Sequence, residues 1–415
     1  MNKRRLATAV ISAVAFSANG QEGVVEPPPP FEESPPSEAW YERDRLIGTN
    51  DSLEDSGISP FLFFDSIAAA SVDGGRESAR NFTVQTYAGV DLDLEKLLGW
   101  DETTMKISMV DREGLGISKD VGGIYDPMTI NGGADGQVTW LYQVWIEKVI
   151  FNDWSVKLGR TSMDEDFADS ELNRYSLSTA INGPIRSMML DRPQIFSFPL
   201  GLWGGRVKYK PNDEHQFQFG AYQINDNPFG THLKGTNWSI NSGDGVTFLA
   251  QYDWTPEVFE RPARFYAGFA DSVYNIDTFD GGTDSNMFTF YGRAEVEVAD
   301  GLKLFAFGAY NAEDETAKIP LQLNAGANWK GLFPGREKDH TVFHATYGKV
   351  SDTFGRFVTR DDVGSEVVLE LGHRFQLIPS TYIQPAVQYI INPGGGTNGD
   401  LDNATVIGVW FGASF

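Results

Sequence analysis

The chain closes on Thr405-Val406-Ile407-Gly408-Val409-Trp410-Phe411-Gly412-Ala413-Ser414-Phe415, and this stretch decides how the rest is read. Ile407, Val409, Phe411, Ala413 and Phe415 fall at every second position. Successive side chains of a strand point to opposite faces, so this segment has one continuous apolar face that ends on an aromatic residue. The same period recurs upstream. Phe248, Ala250, Tyr252 and Trp254 alternate with Thr247, Leu249, Gln251 and Asp253. Ala294, Val296 and Val298 alternate with Arg293, Glu295 and Glu297, and Val367, Leu369 and Leu371 with Glu366, Glu370 and Gly372. Each segment carries an apolar and a polar face.

Tight turn signals separate many of these segments: Asn152-Asp153, Pro211-Asn212-Asp213, Ala299-Asp300-Gly301 and Ile378-Pro379-Ser380. Longer Gly/Asn/Asp-rich stretches alternate with them, at Gly230–Gly245, Phe279–Asn286 and Asn392–Asn403. Sixteen strands are predicted, beginning near residues 58, 80, 103, 138, 154, 201, 215, 245, 262, 286, 301, 319, 339, 362, 381 and 403. An even count closes an antiparallel sheet without leaving an edge unpaired in lipid. The predicted fold over 58–415 is all-β: a sixteen-stranded antiparallel transmembrane β-barrel with short periplasmic turns and long outer loops. A soluble sandwich or propeller also shows period two. Charges on the polar faces, aromatics near strand ends and the terminal strand favour the membrane. That last strand resembles the C-terminal strand of bacterial outer-membrane proteins, whose final aromatic, here Phe415, is read by assembly machinery.

Bulk composition points elsewhere. The chain has 415 residues, no cysteine, 29 Phe, 15 Tyr, 10 Trp and a formal charge of -24, numbers that fit a soluble acidic protein. A barrel reconciles them, because only one side chain in two meets lipid and averaging hides that face. With 33 Lys and Arg against 57 carboxylates, a nucleic-acid partner is excluded. Zero cysteines exclude disulfide frameworks, zinc ribbons and thiol nucleophiles.

At the other terminus, Lys3, Arg4 and Arg5 precede the uncharged run Leu6–Ala18, with small residues at Ala18 and Gly20. This is the pattern of a secretory signal, residues 1–20, cleaved after Gly20. Residues 21–57 hold Pro27–Pro30 and Pro35–Pro36 among Glu26, Glu32, Glu33 and Glu38. Proline and like charges make an extended periplasmic tether and lead-in.

Several segments are similar to the carbohydrate-selective porins of the OprB family. They are Asp91–Trp100, Trp145-Ile146-Glu147 with Lys157–Arg160 and Asp166-Phe167-Ala168, Trp329–Arg336, and Tyr382–Pro385 through Tyr389–Gly395. Trp40–Asp44 and Leu53–Ile58 resemble the lead-in, although Ile47–Asn50 departs from the family's Gly-rich run there. The resemblance spans about 40–415. It implies a sixteen-stranded outer-membrane porin of a Gram-negative bacterium, passing sugars by diffusion, with a short periplasmic helix after the second strand.

Porins of this size hold an aqueous channel narrowed by an infolded loop. The longest loop candidate is Met163–Phe198, which opens with Asp164, Glu165, Asp166, Asp169 and Glu171 and later carries Arg174, Arg186, Asp191 and Arg192. Carboxylates opposite basic wall residues can exchange hydrogen bonds with neutral, hydroxyl-rich sugars. Strand parity puts Arg206, Lys208, Arg293, Glu370 and Gln384 on the lumen side, and the expected pore lining is these residues with Glu147, Asp164, Asp166, Phe167 and Trp203. Phe167 and Trp203 are the expected stacking surfaces.

Motifs for other chemistry lack their context. Gly394-Gly395-Gly396-Thr397-Asn398-Gly399 fits G-x-G-x-x-G, but a strand follows where a helix is needed, so it reads as a flexible loop. No G-x-S-x-G, H-E-x-x-H or Walker sequence is present. No cofactor, metal or enzymatic activity is expected, though Asp164–Glu171 leaves calcium open. The alternative functions are a general or weakly ion-selective porin and a plugged barrel acting as enzyme or adhesin. Sugars and outer-membrane lipids are the expected partners, with a homotrimer left open.

Overall fold

The structure is a computed structural model that describes residues 51–183, 185–188, 196–224, 234–359 and 363–415. The expected signal and most of the tether, with Asp191 and Arg192 of the long loop, lie outside the described residues.

A short helix, Asp51–Asp55, leads into strand β1 (Ile58–Gly75). The wall continues through β2 (Ala79–Asp93), β3 (Thr103–Glu113), β4 (Gln137–Ile150), β5 (Trp154–Thr161), β6 (Leu202–Tyr209), β7 (His215–Ile224) and β8 (Gly245–Trp254). It is completed by β9 (Arg261–Asp277), β10 (Thr283–Ala299), β11 (Leu302–Asn311), β12 (Leu321–Lys330), β13 (His340–Lys349), β14 (Ser365–Ile378), β15 (Thr381–Ile391) and β16 (Asp402–Ser414). A two-residue ladder, Glu257–Val258, extends the β8–β9 hairpin and adds no wall position. Every strand pairs antiparallel with its neighbours in sequence, and β1 pairs with β16 in the register Phe63↔Ser414 to Ala70↔Ile407. The sheet is closed, with sixteen strands. Each begins within about three residues of the sequence expectation, because turn residues mark strand ends locally.

The turns follow from residue type. Gly301 adopts φ +71°, and a Cβ there would lie 2.5 Å from the Lys330 carbonyl, so the β10–β11 turn needs glycine. At the first periplasmic connection, Asp93 caps the helix Leu94–Leu98 by accepting from the N–H groups of Glu95 and Lys96. The helix ends on left-handed Gly99.

Outward positions hold exposed apolar side chains such as Phe219, Phe248, Phe290 and Leu323, the lipid-facing band. Near the periplasmic turns, Trp154 stacks on Tyr209 with centroids 4.5 Å apart and Phe217 on Tyr252 at 4.9 Å. These rings form the interfacial girdle. The inward face is less polar than period two suggests. Ile67, Val368, Val406 and Trp410 are buried inside the barrel with Ile117, Met128 and Leu177 from loops. Phe305 and Phe307 pack inward with Met163, Phe167 and Met188. Loops therefore fill part of the lumen with apolar cores of their own.

Trp410 anchors one such core. Its Nε1 donates to Asp65 Oδ1 at 3.1 Å, and Tyr382, edge-on to its ring, donates to the same oxygen at 3.0 Å. Trp410→Ala is expected to cost about 3–5 kcal/mol. The check is a lower temperature for loss of the folded barrel's distinct electrophoretic mobility, with the lipid face untouched.

Candidate functional site

The described residues of the connection 162–201, between β5 and β6, turn into the lumen and are tied to the wall at many points. Its first anchor is Asp166. Lys157 Nζ reaches Asp166 Oδ2 at 2.5 Å, Arg206 Nε donates to Oδ1 at 2.9 Å, and Tyr222 donates to Oδ2 at 3.2 Å. Arg206 also donates to Glu147 Oε1 and to Ser155 Oγ, each at 2.5 Å. Burial alone would raise the Asp166 carboxyl, but Lys157 and Arg206 outweigh it and hold the group well below the usual range.

Further along, Ala168 N–H donates to Gln251 on β8 at 2.8 Å, and Arg264 on β9 donates to the Asp169 carbonyl at 3.1 Å. On β10, Arg293 pairs with Glu295 and donates to Asn173 Oδ1 at 2.8 Å, while Ser170 donates to Glu295. The loop then crosses to the far wall. Glu370 on β14 accepts from the N–H groups of Leu177 (2.8 Å) and Ser178 (3.1 Å), and Gln384 on β15 donates to the Tyr175 carbonyl at 2.6 Å. Arg374 donates to the Arg174 carbonyl at 2.7 Å, its guanidinium 4.2 Å from the Tyr175 ring and 4.0 Å from that of Tyr382.

A second infolded loop, 114–136, went unread in the sequence. Glu366 on β14 accepts from Ile124 and Tyr125 N–H (2.7 and 3.2 Å), and Gln388 donates to the Pro127 carbonyl at 3.0 Å. The two loops join through Thr129 N–H to the Leu177 carbonyl (2.7 Å) and Thr179 N–H to the Asp126 carbonyl (2.9 Å). Its signal was present: Ile117, Val121, Ile124, Met128 and Ile130 are too many apolar residues for a solvated loop. The glycine motif also differs from expectation. Gly394 N–H donates to the same Glu366 at 2.5 Å, so this loop is docked on the lumen wall rather than flexible.

Arg206, Arg293, Glu370 and Gln384 are thus buried inward-facing groups engaged with the loop, as is Asp166 from the loop side. Glu147 and Lys208 are half-buried beside them, and Lys208 makes no hydrogen bond or ion pair among the described residues. The stacking expectations need correction. Phe167 is fully buried against Tyr222, so it presents no ring face to solute. Trp203 shares the outward parity of Val207 and Tyr209, opposite to Arg206, and packs edge-on to Trp238 near the outer rim.

Arg112, Asp164 and Glu165 are half-buried between the long loop and the wall. Arg112, on the lumen face of β3, lies 4.8 Å from the ring centroid of Phe198 and donates from Nε to Gln85 at 2.7 Å. Glu165 accepts from Tyr142 at 2.8 Å and Gln143 at 2.5 Å. Arg112 and Phe198 escaped the sequence reading because nothing local distinguishes them from other wall charges or loop aromatics. Burial pushes the Asp164 carboxyl up to about 7, with Glu165 and Asp169 adding and a hydrogen bond from Ser162 opposing.

A closed sixteen-stranded barrel with a transverse loop in its lumen is a porin, a channel for passive diffusion. The profile described as "Carbohydrate-selective porin, OprB family" matches residues 76–415, and the chain belongs to that family of sugar-diffusion channels of the Gram-negative outer membrane. It is 27% identical to Porin B of Pseudomonas aeruginosa over 425 residues, covering 90% of this chain and 91% of that protein. It is 26% identical to the putative porin QuiX of Acinetobacter baylyi, covering 87% and 90%. The high-pH structure of Pseudomonas putida OprB superposes with a TM-score of 0.81 at 24% identity, covering 89% of this chain and 96% of that one.

Asp166→Ala leaves Lys157 and Arg206 without their shared partner, a loss of about 3–5 kcal/mol for a buried pair. Single-channel conductance in planar bilayers is expected to rise as the loop leaves the wall. Asp164, raised above its ordinary value, favours the native state in its neutral form and loses that contribution as pH rises through about 7. Above that pH it adds a negative charge to the channel. Reversal potentials in a KCl gradient should shift toward cations between pH 5.5 and 8.5 (about 1.5 units on either side of that value), and Asp164→Asn should abolish the shift.

Proposed function

We propose that sugars are selected where Arg112 and Phe198 face Asp164 and Glu165, between the infolded loop and the wall of β2–β4. The observation that carries this reading is the state of the lumen charges. Lys157 and Arg206 are matched by Asp166 and Glu147, Arg264 by Asp253 and Arg293 by Glu295. Charges paired in this way leave abundant donors and acceptors at low net potential, which suits neutral polyols better than ions. Arg112 supplies free N–H groups beside an aromatic ring, and Asp164 lies within its electrostatic reach. A pyranose can accept from the guanidinium, donate to the carboxylates and lay its apolar face on Phe198. The Asp166–Arg206–Glu147 network acts one step back, setting the loop's distance from the wall. Residues 1–20 direct export, residues 21–57 tether the barrel in the periplasm, and assembly machinery reads the C-terminal segment that ends on Phe415.

The test is block of ion current by mono- and disaccharides in planar bilayers. Arg112→Ala removes charged hydrogen bonds and is expected to weaken the block about tenfold. Unchanged block would move the selective site elsewhere in the lumen.

A further inference from the structure

The lipid-facing surface is uneven. On β7, β8 and β10 it carries Phe219, Phe248 and Phe290, whereas β15 and β1 present Pro385, Ala68 and Ala70. The register sets Pro385 beside Val409, Val409 beside Ala68 and Ala68 beside Phe82, so the small residues are interspersed with larger apolar ones across these strands. They floor an apolar cleft of about 1420 Å³ on the outside of the barrel, flanked by Phe82, Leu371, Val387 and Ile407. Arg80 closes its upper end, directly across the β1–β2 ladder from Ala70.

Height places this arginine. Ala70 lies twelve residues above Ile58 on β1. At about 3.3 Å per residue and a tilt of about 45°, that is about 28 Å above the periplasmic rim, just beyond an apolar band about 25 Å tall. Arg80 is therefore at the level of the outer headgroups. It is exposed and makes no hydrogen bond or ion pair among the described residues, while its neighbour Arg76 is engaged with Asn398 at 2.8 Å. At the periplasmic end the charges are already matched: Arg336 donates to both oxygens of Asp339 at 2.7 and 2.9 Å.

We propose that this cleft holds one phosphorylated lipid of the outer leaflet, its acyl chains along Ala68, Ala70 and Pro385 and its phosphate on the Arg80 guanidinium. The planar fork of arginine matches a phosphate bidentately, and beside an apolar surface that contact is weakly screened. A second copy is a poorer occupant. An isologous contact would set concave surface against concave surface and leave the cleft unfilled, whereas acyl chains conform to it.

The test is native mass spectrometry of the folded full-length barrel in neutral detergent, titrated with a bisphosphorylated, multiply acylated glucosamine disaccharide. One bound copy is expected. Arg80→Gln, Ala70→Leu and a dephosphorylated probe should each weaken retention about tenfold, the loss of one charged hydrogen-bond pair or of the fit. Both variants lie on the lipid face, and the distinct electrophoretic mobility of the folded barrel verifies that they fold. Equal retention by Arg80→Gln, or equal binding of the dephosphorylated probe, overturns the proposal. So does a disulfide-linked dimer formed in membranes by Ala70→Cys, which the absence of native cysteine makes unambiguous.

Discussion

A backbone facing hydrocarbon has no water to satisfy its N–H and C=O groups, and this constraint underlies everything else in the molecule. A single sheet meets it only by closing. The seam lies where β1 meets β16, and Phe415 N–H, just past the last strand, donates to the Leu62 carbonyl at 2.9 Å. The two ends of a chain segment of more than 350 residues are thereby brought side by side. Closure creates an interior that belongs to neither lipid nor bulk solvent. What occupies that interior determines what can pass.

Much of it is occupied by the chain itself. Loops folded into a barrel bring their own backbone groups, which need partners just as the wall strands do. The wall supplies them with side chains rather than ladders. Glu366 and Glu370 take loop N–H groups, while Gln322, Gln384 and Gln388 donate to loop carbonyls. The apolar residues of the same loops are buried against inward-facing Ile67, Val406 and Trp410. Carboxylates that read as channel charges are in several places loop anchors. The channel is what remains once those demands are met.

Strands and turns were legible because their causes are local. Period two in Phe248–Trp254 or Ala294–Val298 needs no knowledge of any other segment, and Ala299-Asp300-Gly301 announces a turn by residue type alone. The acidic start of the long loop was legible for the same reason. Its partners were not, since Asp166 meets Lys157 and Arg206 only after β5 and β6 pair. Trp203 shows how an aromatic can mislead: its neighbours' parity puts it outside, yet residue type alone suggested a sugar surface. The 114–136 loop shows the opposite error, an apolar segment passed over because the Glu366 that captures it lies more than 200 residues away.

By itself, then, the sequence determined the number of strands, their approximate ends, which face of each meets lipid and, through resemblance, the kind of channel they enclose. These follow from alternation and turn chemistry, which act over a few residues. Only the tertiary structure decided which inward groups hold loops. It also decided where small outward residues align into a cleft. Both depend on register between strands distant in the chain, and register is set by closure of the whole sheet rather than by any segment of it.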